Sequence, residues 1–175
     1  MISLQKKWGQ WPSYFLLFFV IFFPTTATAV FQKPDVIEKA PELSLFDLAG
    51  QKQNLSQYQG QVVLLHFWAT WCSSCVQELS ELQTLWEKLH NKGLVVIAVA
   101  EDSKKSVVAF VKKRPMTFPV WIDQYGKGLR SYKIKGFPTT YLIGRNGYQE
   151  GIAFGPRKWL DSLVFPKIEK LLAKP

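Results

Sequence analysis

Cysteine and histidine are almost missing from this 175-residue chain: it holds Cys72, Cys75, His66 and His90, and no others. That shortage excludes a disulfide-stapled framework and leaves a structural zinc site short of suitable ligands, since such a site takes four well-placed donors. Acidic residues are also few, 13 against 22 Lys+Arg, for a net charge of +9. Long apolar runs are scarce as well. The longest, Tyr14 to Phe23, has ten residues, against the roughly 20 that a membrane-spanning helix needs. No internal repeat, low-complexity tract or second domain is visible. The length suits one ordinary domain with a core that needs no staples.

What the chain does have is two cysteines placed two residues apart, in Trp71-Cys72-Ser73-Ser74-Cys75. The apolar run Val62-Val63-Leu64-Leu65-His66-Phe67-Trp68 before them reads as a buried parallel strand. Leu79, Leu82, Leu85, Trp86 and Leu89 after them fall on one helical stripe. Cys72 therefore sits at a helix N-terminus, where free amides and the helix dipole favour a thiolate. One thiolate that attacks and a second thiol that resolves are what thiol–disulfide exchange requires. A structural disulfide also accounts for two cysteines, but so short a loop would stabilise little.

Residues 1–29 form a separate segment. Lys6 and Lys7 precede the apolar run, Pro24 breaks it, and Ala27-Thr28-Ala29 has the small-x-small pattern of a signal-peptidase site. The layout reads as a secretory signal peptide or, extended to Trp8 and Val30, a membrane anchor. In either case the domain lies on the extracytoplasmic or periplasmic side. Discounting Lys6 and Lys7 leaves a charge of +7, read as a solvated basic surface, with attraction to an anionic membrane or acidic partner as the alternative. No nucleic-acid motif accompanies it.

Residues 30–40 read as a polar tether, and 41–175 as the domain. Leu43–Phe46 and Gln53–Leu55 form a strand hairpin around Asp47 and Gly50. Leu94–Ala100 is a second buried strand after Gly93, a fitting helix C-cap. A helix capped by Asp102 or Ser103 stops at Pro115. Phe118–Ile122 contains Pro119, so it reads as an edge strand at best. A weak helix spans Gln124–Lys133. Thr139–Ile143 and Tyr148–Phe154 flank Asn146-Gly147, a hairpin signal. Trp159 to Leu172 suggests a final helix that Pro166 kinks or splits. This alternation makes an α/β fold with a central sheet and helices on both faces.

Trp68-Ala69-Thr70-Trp71-Cys72-Ser73-Ser74-Cys75-Val76-Gln77-Glu78 resembles the active-site stretch of the thioredoxin superfamily, most nearly its extracytoplasmic TlpA/ResA/DsbE branch. Ala40-Pro41 with Phe46-Asp47-Leu48-Ala49-Gly50 is similar to the branch's opening hairpin. Gly136-Phe137-Pro138-Thr139-Thr140-Tyr141-Leu142-Ile143 resembles its second signature. The resemblance spans about Pro41 to Leu172. It implies a thioredoxin-like fold with a mixed sheet, in which Glu101–Asp123 supplies an inserted helix and strand. It also implies that Cys72 attacks, that Cys75 resolves, and that the bond before Pro138 is cis. Phe137, Pro138 and Thr139 would meet an extended substrate, with Trp71 on the rim.

Glu78 matches the acidic residue that this branch uses as a proton acceptor; the alternative is a solvated helix glutamate. His66 stands where thioredoxins carry a buried acid, and reads either as a proton relay to Cys75 or as a satisfied core histidine. Ser73-Ser74 replaces the branch's usual Pro before the second cysteine. The resemblance implies reduction of protein disulfides, apocytochrome c cysteines among them, with electrons from a membrane thiol reductase and no cofactor or metal. A peroxiredoxin-like peroxidase competes, but it expects Thr or Ser three residues before the reactive cysteine, where this chain has Ala69. A copper metallochaperone, the third reading, expects wider cysteine spacing and a distal histidine, and after Cys75 only His90 remains.

Overall fold

A computed structural model describes residues 31–34 and 36–174; the 1–29 segment lies outside them. Among the described residues no helix is long and apolar enough to cross a membrane. Seven strands form one mixed sheet: β1 (Ser44–Asp47), β2 (Lys52–Asn54), β3 (Val62–Trp68), β4 (Leu94–Ala100), β5 (Val120–Ile122), β6 (Thr139–Ile143) and β7 (Gln149–Phe154). Their spatial order is β2-β1-β5-β4-β3-β6-β7. The three central strands β3, β4 and β5 are parallel, and the remaining pairings are antiparallel. The α-helices among the described residues are α1 (Ser73–Leu89), α2 (Lys104–Lys113), α3 (Lys127–Ser131) and α4 (Phe165–Leu172).

Both faces of the sheet are covered, as the unbroken apolar strands require. Alternate residues of β3 feed two cores. Val62, Leu64 and Trp68 join Leu79, Leu82 and Leu85 of α1, Val107 of α2 and Ile168 of α4. Val63, Leu65 and Phe67 face the other way, toward Leu129 of α3, Tyr132 and Tyr141. The period of two therefore turns His66 toward α1.

Three expectations change. The strand at Val120–Ile122 is not an edge: it lies between β1 and β4. Pro119 is tolerated because it precedes the strand, where its carbonyl accepts from the Ala98 N–H at 2.9 Å and its missing donor breaks no ladder bond. The final helix is also shorter than its apolar spacing suggests. Trp159 lies outside it, and α4 starts at Phe165 with Pro166 in its first turn, where a missing N–H costs nothing. The stretch read as a tether also has regular partners. Gln32 forms an antiparallel bridge to Ile152 on β7 and Lys39 one to Tyr148, just before that strand, and Phe31 is buried against Trp159, ring centroids 6.1 Å apart.

Candidate active site at the start of α1

β3 ends at Trp68, and a tight turn closes with the Cys72 N–H donating to the Ala69 carbonyl at 3.1 Å. The Thr70 hydroxyl donates to the Asp102 carboxylate, tying this turn to the loop after β4. Cys72 is the N-cap of α1 in an extended conformation. Its sulfur takes the place of a capping oxygen, accepting the Cys75 N–H at 3.3 Å. The two cysteines form a disulfide across a Cα separation of 5.3 Å. They are not equivalent: Cys72 is 9% exposed and Cys75 0%. Ser74 brings its hydroxyl to 3.5 Å from the Cys72 sulfur, a polar contact that a proline could not supply.

Phe137–Pro138 is a cis peptide bond. Trp71, 69% exposed, stands edge-on to Phe137 with centroids 5.8 Å apart. Together with Cys72, Leu129, Ile134 and Lys135, these rings line an open groove of about 520 Å³. Pro138 and Thr139 are buried, and the Thr139 hydroxyl donates to the Gly136 carbonyl at 2.7 Å, bracing the turn. Leu129, Ile134 and Lys135 carried no sequence signal for this role, because α3 and its following turn reach the groove only through the fold.

On the buried side, Glu78 is 4% exposed, so it is not a solvated helix glutamate. It lies on the core face of α1 with Cys75, one turn further along. Its Oε1 accepts the Arg157 N–H at 2.5 Å and the Trp159 indole N–H at 3.0 Å. Its Oε2 has no hydrogen-bond partner among the described residues. Burial, only partly offset by these two donors, pushes its pKa up to about 7. Trp159 is locked in turn by its own backbone N–H, which donates to Glu81 Oε2 at 2.7 Å. This clamp was hidden in the sequence, where Trp159 merely continued a helical apolar pattern. The breaker pair Gly155-Pro156 is the one signal that the chain leaves β7 there as a loop.

His66 is fully buried, its Nδ1 2.8 Å from the Thr140 hydroxyl and its ring edge-on to Trp159 at 6.5 Å. Burial pushes its pKa down to about 3, so the ring is neutral near neutrality and accepts no proton there. Among the described residues its Nε2 has no hydrogen-bond partner, nor has the Trp68 indole N–H. His90 caps the far end of α1, with Nδ1 3.0 Å from the Trp86 carbonyl. Among the described residues no three His, Cys, Asp or Glu side chains gather as a metal site.

The comparisons with known proteins agree with this geometry. Residues 36–148 match the AhpC/TSA family model. The thioredoxin-like protein YneN of Bacillus subtilis is 40% identical over 123 residues, covering 67% of this chain and 71% of that protein. The thiol-disulfide oxidoreductase ResA of Bacillus thuringiensis is 35% identical over 117 residues, 66% of this chain and 68% of its own. A putative thiol:disulfide interchange protein DsbE from Chlorobium tepidum has a crystal structure that superposes with a TM-score of 0.75, at 33% identity, over 82% of this chain and 99% of that one. A redox-active pair at the start of α1, on this fold and with these relatives, places the chain in the AhpC/TSA family as a thioredoxin-like thiol–disulfide oxidoreductase of the ResA/DsbE type.

Proposed function

We propose that the chain is a reductase of protein disulfides in which Cys72 attacks, Cys75 resolves and Glu78 takes up the proton. The Cys72 thiolate attacks one substrate sulfur, forming a mixed disulfide and releasing the other as a thiolate. Cys75 loses its proton to Glu78 and attacks the Cys72 sulfur. That step closes the 72–75 disulfide, frees the second substrate thiolate and leaves the substrate two electrons richer. Burial supports the division of labour, since Cys72 alone lies at the exposed helix start. The observation that carries the reading is the Glu78 carboxyl, buried on the Cys75 face of α1 and raised to about 7. A general base is most effective near the working pH.

His66 holds the Thr140 hydroxyl in this reading and does not relay protons. Trp71 and Phe137 form the wall against which an extended substrate lies, held in place by the buried Pro138 and Thr139, with backbone pairing beside Phe137. The setting is extracytoplasmic, with residues 1–29 as signal peptide or anchor, an exported protein such as apocytochrome c as substrate, and a membrane thiol reductase as electron donor. The motif layout and the resemblance to the ResA/DsbE type support this setting.

Two measurements test the proposal. Cys75→Ser should accumulate a mixed disulfide on Cys72 with a peptide disulfide, whereas Cys72→Ser should accumulate none; the reverse pattern would exchange the two roles. The reduction potential of the pair should lie nearer thioredoxin's, about −270 mV, than the about −120 mV of a dedicated oxidant. A value at the oxidising end would reverse the direction of electron flow. Peroxide turnover is not expected, because Ala69 puts no hydroxyl at the place where a peroxidase needs one.

A further inference from the structure

A second groove, of about 700 Å³, opens beside the first where β5 ends, between β1, the β1–β2 turn, the start of α2, and α3. α3 is the shared wall: Leu129 lines the groove at Cys72, while Lys127 and Arg130 line this one. Lys52 and Lys104 complete a set of four cations. The two carboxylates of the lining are already engaged. Asp123 accepts the Lys127 and Leu129 N–H groups at 2.7 and 3.0 Å. Asp47 accepts the Gln51 N–H and the Gln53 amide, both at 2.8 Å. Among the described residues none of the four cations is in an ion pair.

Lys104 adds to the excess, because it stands in the first turn of α2, a turn without an acidic residue, where the helix dipole is itself positive. Two large aromatic side chains also line the groove in the open, Phe46 at 57% and Tyr125 at 79% exposure. Exposed aromatics among four cations that outnumber the two carboxylates of the lining mark a surface for an anionic macromolecule.

We infer that this groove is a docking surface for an acidic segment of the protein whose disulfide is exchanged at Cys72, an inference that rests on the reading in Proposed function. A chain crossing α3 passes from the Trp71–Phe137 groove into the four cations, so one partner occupies both. Charge complementarity of this kind speeds encounter and fixes the orientation of a partner.

The test uses the reduced full chain and two peptide disulfides of one length, flanked either by Asp and Glu or by Ser and Gly. At low ionic strength the acidic peptide should be reduced about tenfold faster, and 0.5 M NaCl should erase the advantage. Lys52→Glu with Lys104→Glu should erase it too, while reduction of a small uncharged disulfide such as hydroxyethyl disulfide stays unchanged. Lys104→Gln should give a partial loss and guards against misfolding of the double variant. Equal rates for the two peptides, or a preference insensitive to salt and to both variants, would overturn the docking surface yet leave the reductase reading standing. Loss of hydroxyethyl disulfide reduction by the parent chain would instead sink the reductase reading. Equal peptide rates together with Lys104-dependent capture by phosphatidylglycerol vesicles would assign the groove to lipid and overturn the inference.

Discussion

The disulfide separates two regions built on opposite terms. Behind Cys75, the space between β3, α1 and the loop after β7 is closed to solvent and holds ionisable groups in a setting that penalises charge: Glu78 rises to about 7 and His66 falls to about 3. In front of Cys72, the surface is open, made of the exposed Trp71 ring, Phe137 and a row of cations. A buried carboxyl of raised pKa can hold and return a proton at working pH, while an exposed aromatic and basic surface can select a partner. In the proposed reading, proton handling and recognition are thereby separated by one disulfide.

The sharpest break is at Cys72 itself. Cys72→Ser should lower exchange with every disulfide, large or small, by at least about 10³-fold, as loss of a nucleophile does. Stopped-flow rates with a peptide and a small disulfide check this. Retained turnover would place the reactive sulfur on the buried side.

Glu78→Gln tests the buried region through pH. Between pH 4.5, its ordinary value, and about 7 the unfolded chain ionises this carboxyl while the folded chain keeps it protonated. The unfolded state then binds fewer protons, so stability falls as pH rises through that window. The amide removes the fall, and should leave the variant about 1–3 kcal/mol more stable than the parent at pH 8 and equal at pH 4. Urea denaturation at both values reads the difference. The pH–rate profile of exchange should also lose its limb near pH 7.

Trp159→Phe keeps a ring in the core but removes the donor to Glu78 Oε1. A hydrogen bond to a charged group contributes about 1.5–3 kcal/mol, and its loss pushes the carboxyl further above 7. The same limb should therefore move to higher pH, and an unmoved limb would show that Trp159 only fills space. Trp71→Ala is the counterpart in the open region. Stability should stay within about 0.5 kcal/mol, as for exposed positions generally. Losing the edge-on contact with Phe137 and any substrate chain should raise KM for a peptide disulfide by about two- to tenfold.

His66→Asn has the smallest expected effect on chemistry. With its pKa near 3 the ring does not titrate between pH 6 and 8, so the pH–rate profile there should not move. A displaced profile would restore the relay. In stability the sign opposes that of Glu78. From pH 6.5 downward the unfolded chain protonates His66 while the folded chain does not, so the parent loses stability on acidification and the Asn variant should lose less.

Much of the fold was legible because its signals are local. β3 and β4 announce themselves as unbroken apolar runs, Asn146-Gly147 makes the β6–β7 hairpin, and Ser103 caps α2. Pro119 and Pro166 misled for one reason: a proline is judged by its place relative to the ladder or helix end, and a shift of one or two residues turns a breaker into a boundary. Cys72 and Cys75 were legible from spacing alone. The surroundings of Glu78 were not, since Arg157 and Trp159 lie about 80 residues downstream of it and meet it only after β7 has returned along the sheet.

The sequence by itself determined the redox pair, its place at a strand-to-helix junction, and the parallel strands that hold it. Each follows from side-chain period, capping or spacing within a few residues, where the covalent chain fixes the distances. Only the tertiary structure decided that Glu78 is buried under Trp159, that the His66 ring is neutral, and that α3 parts an aromatic groove from a basic one. Those outcomes depend on how much water is excluded around a group and on which distant segments exclude it, and folding sets both through contacts that no local pattern encodes.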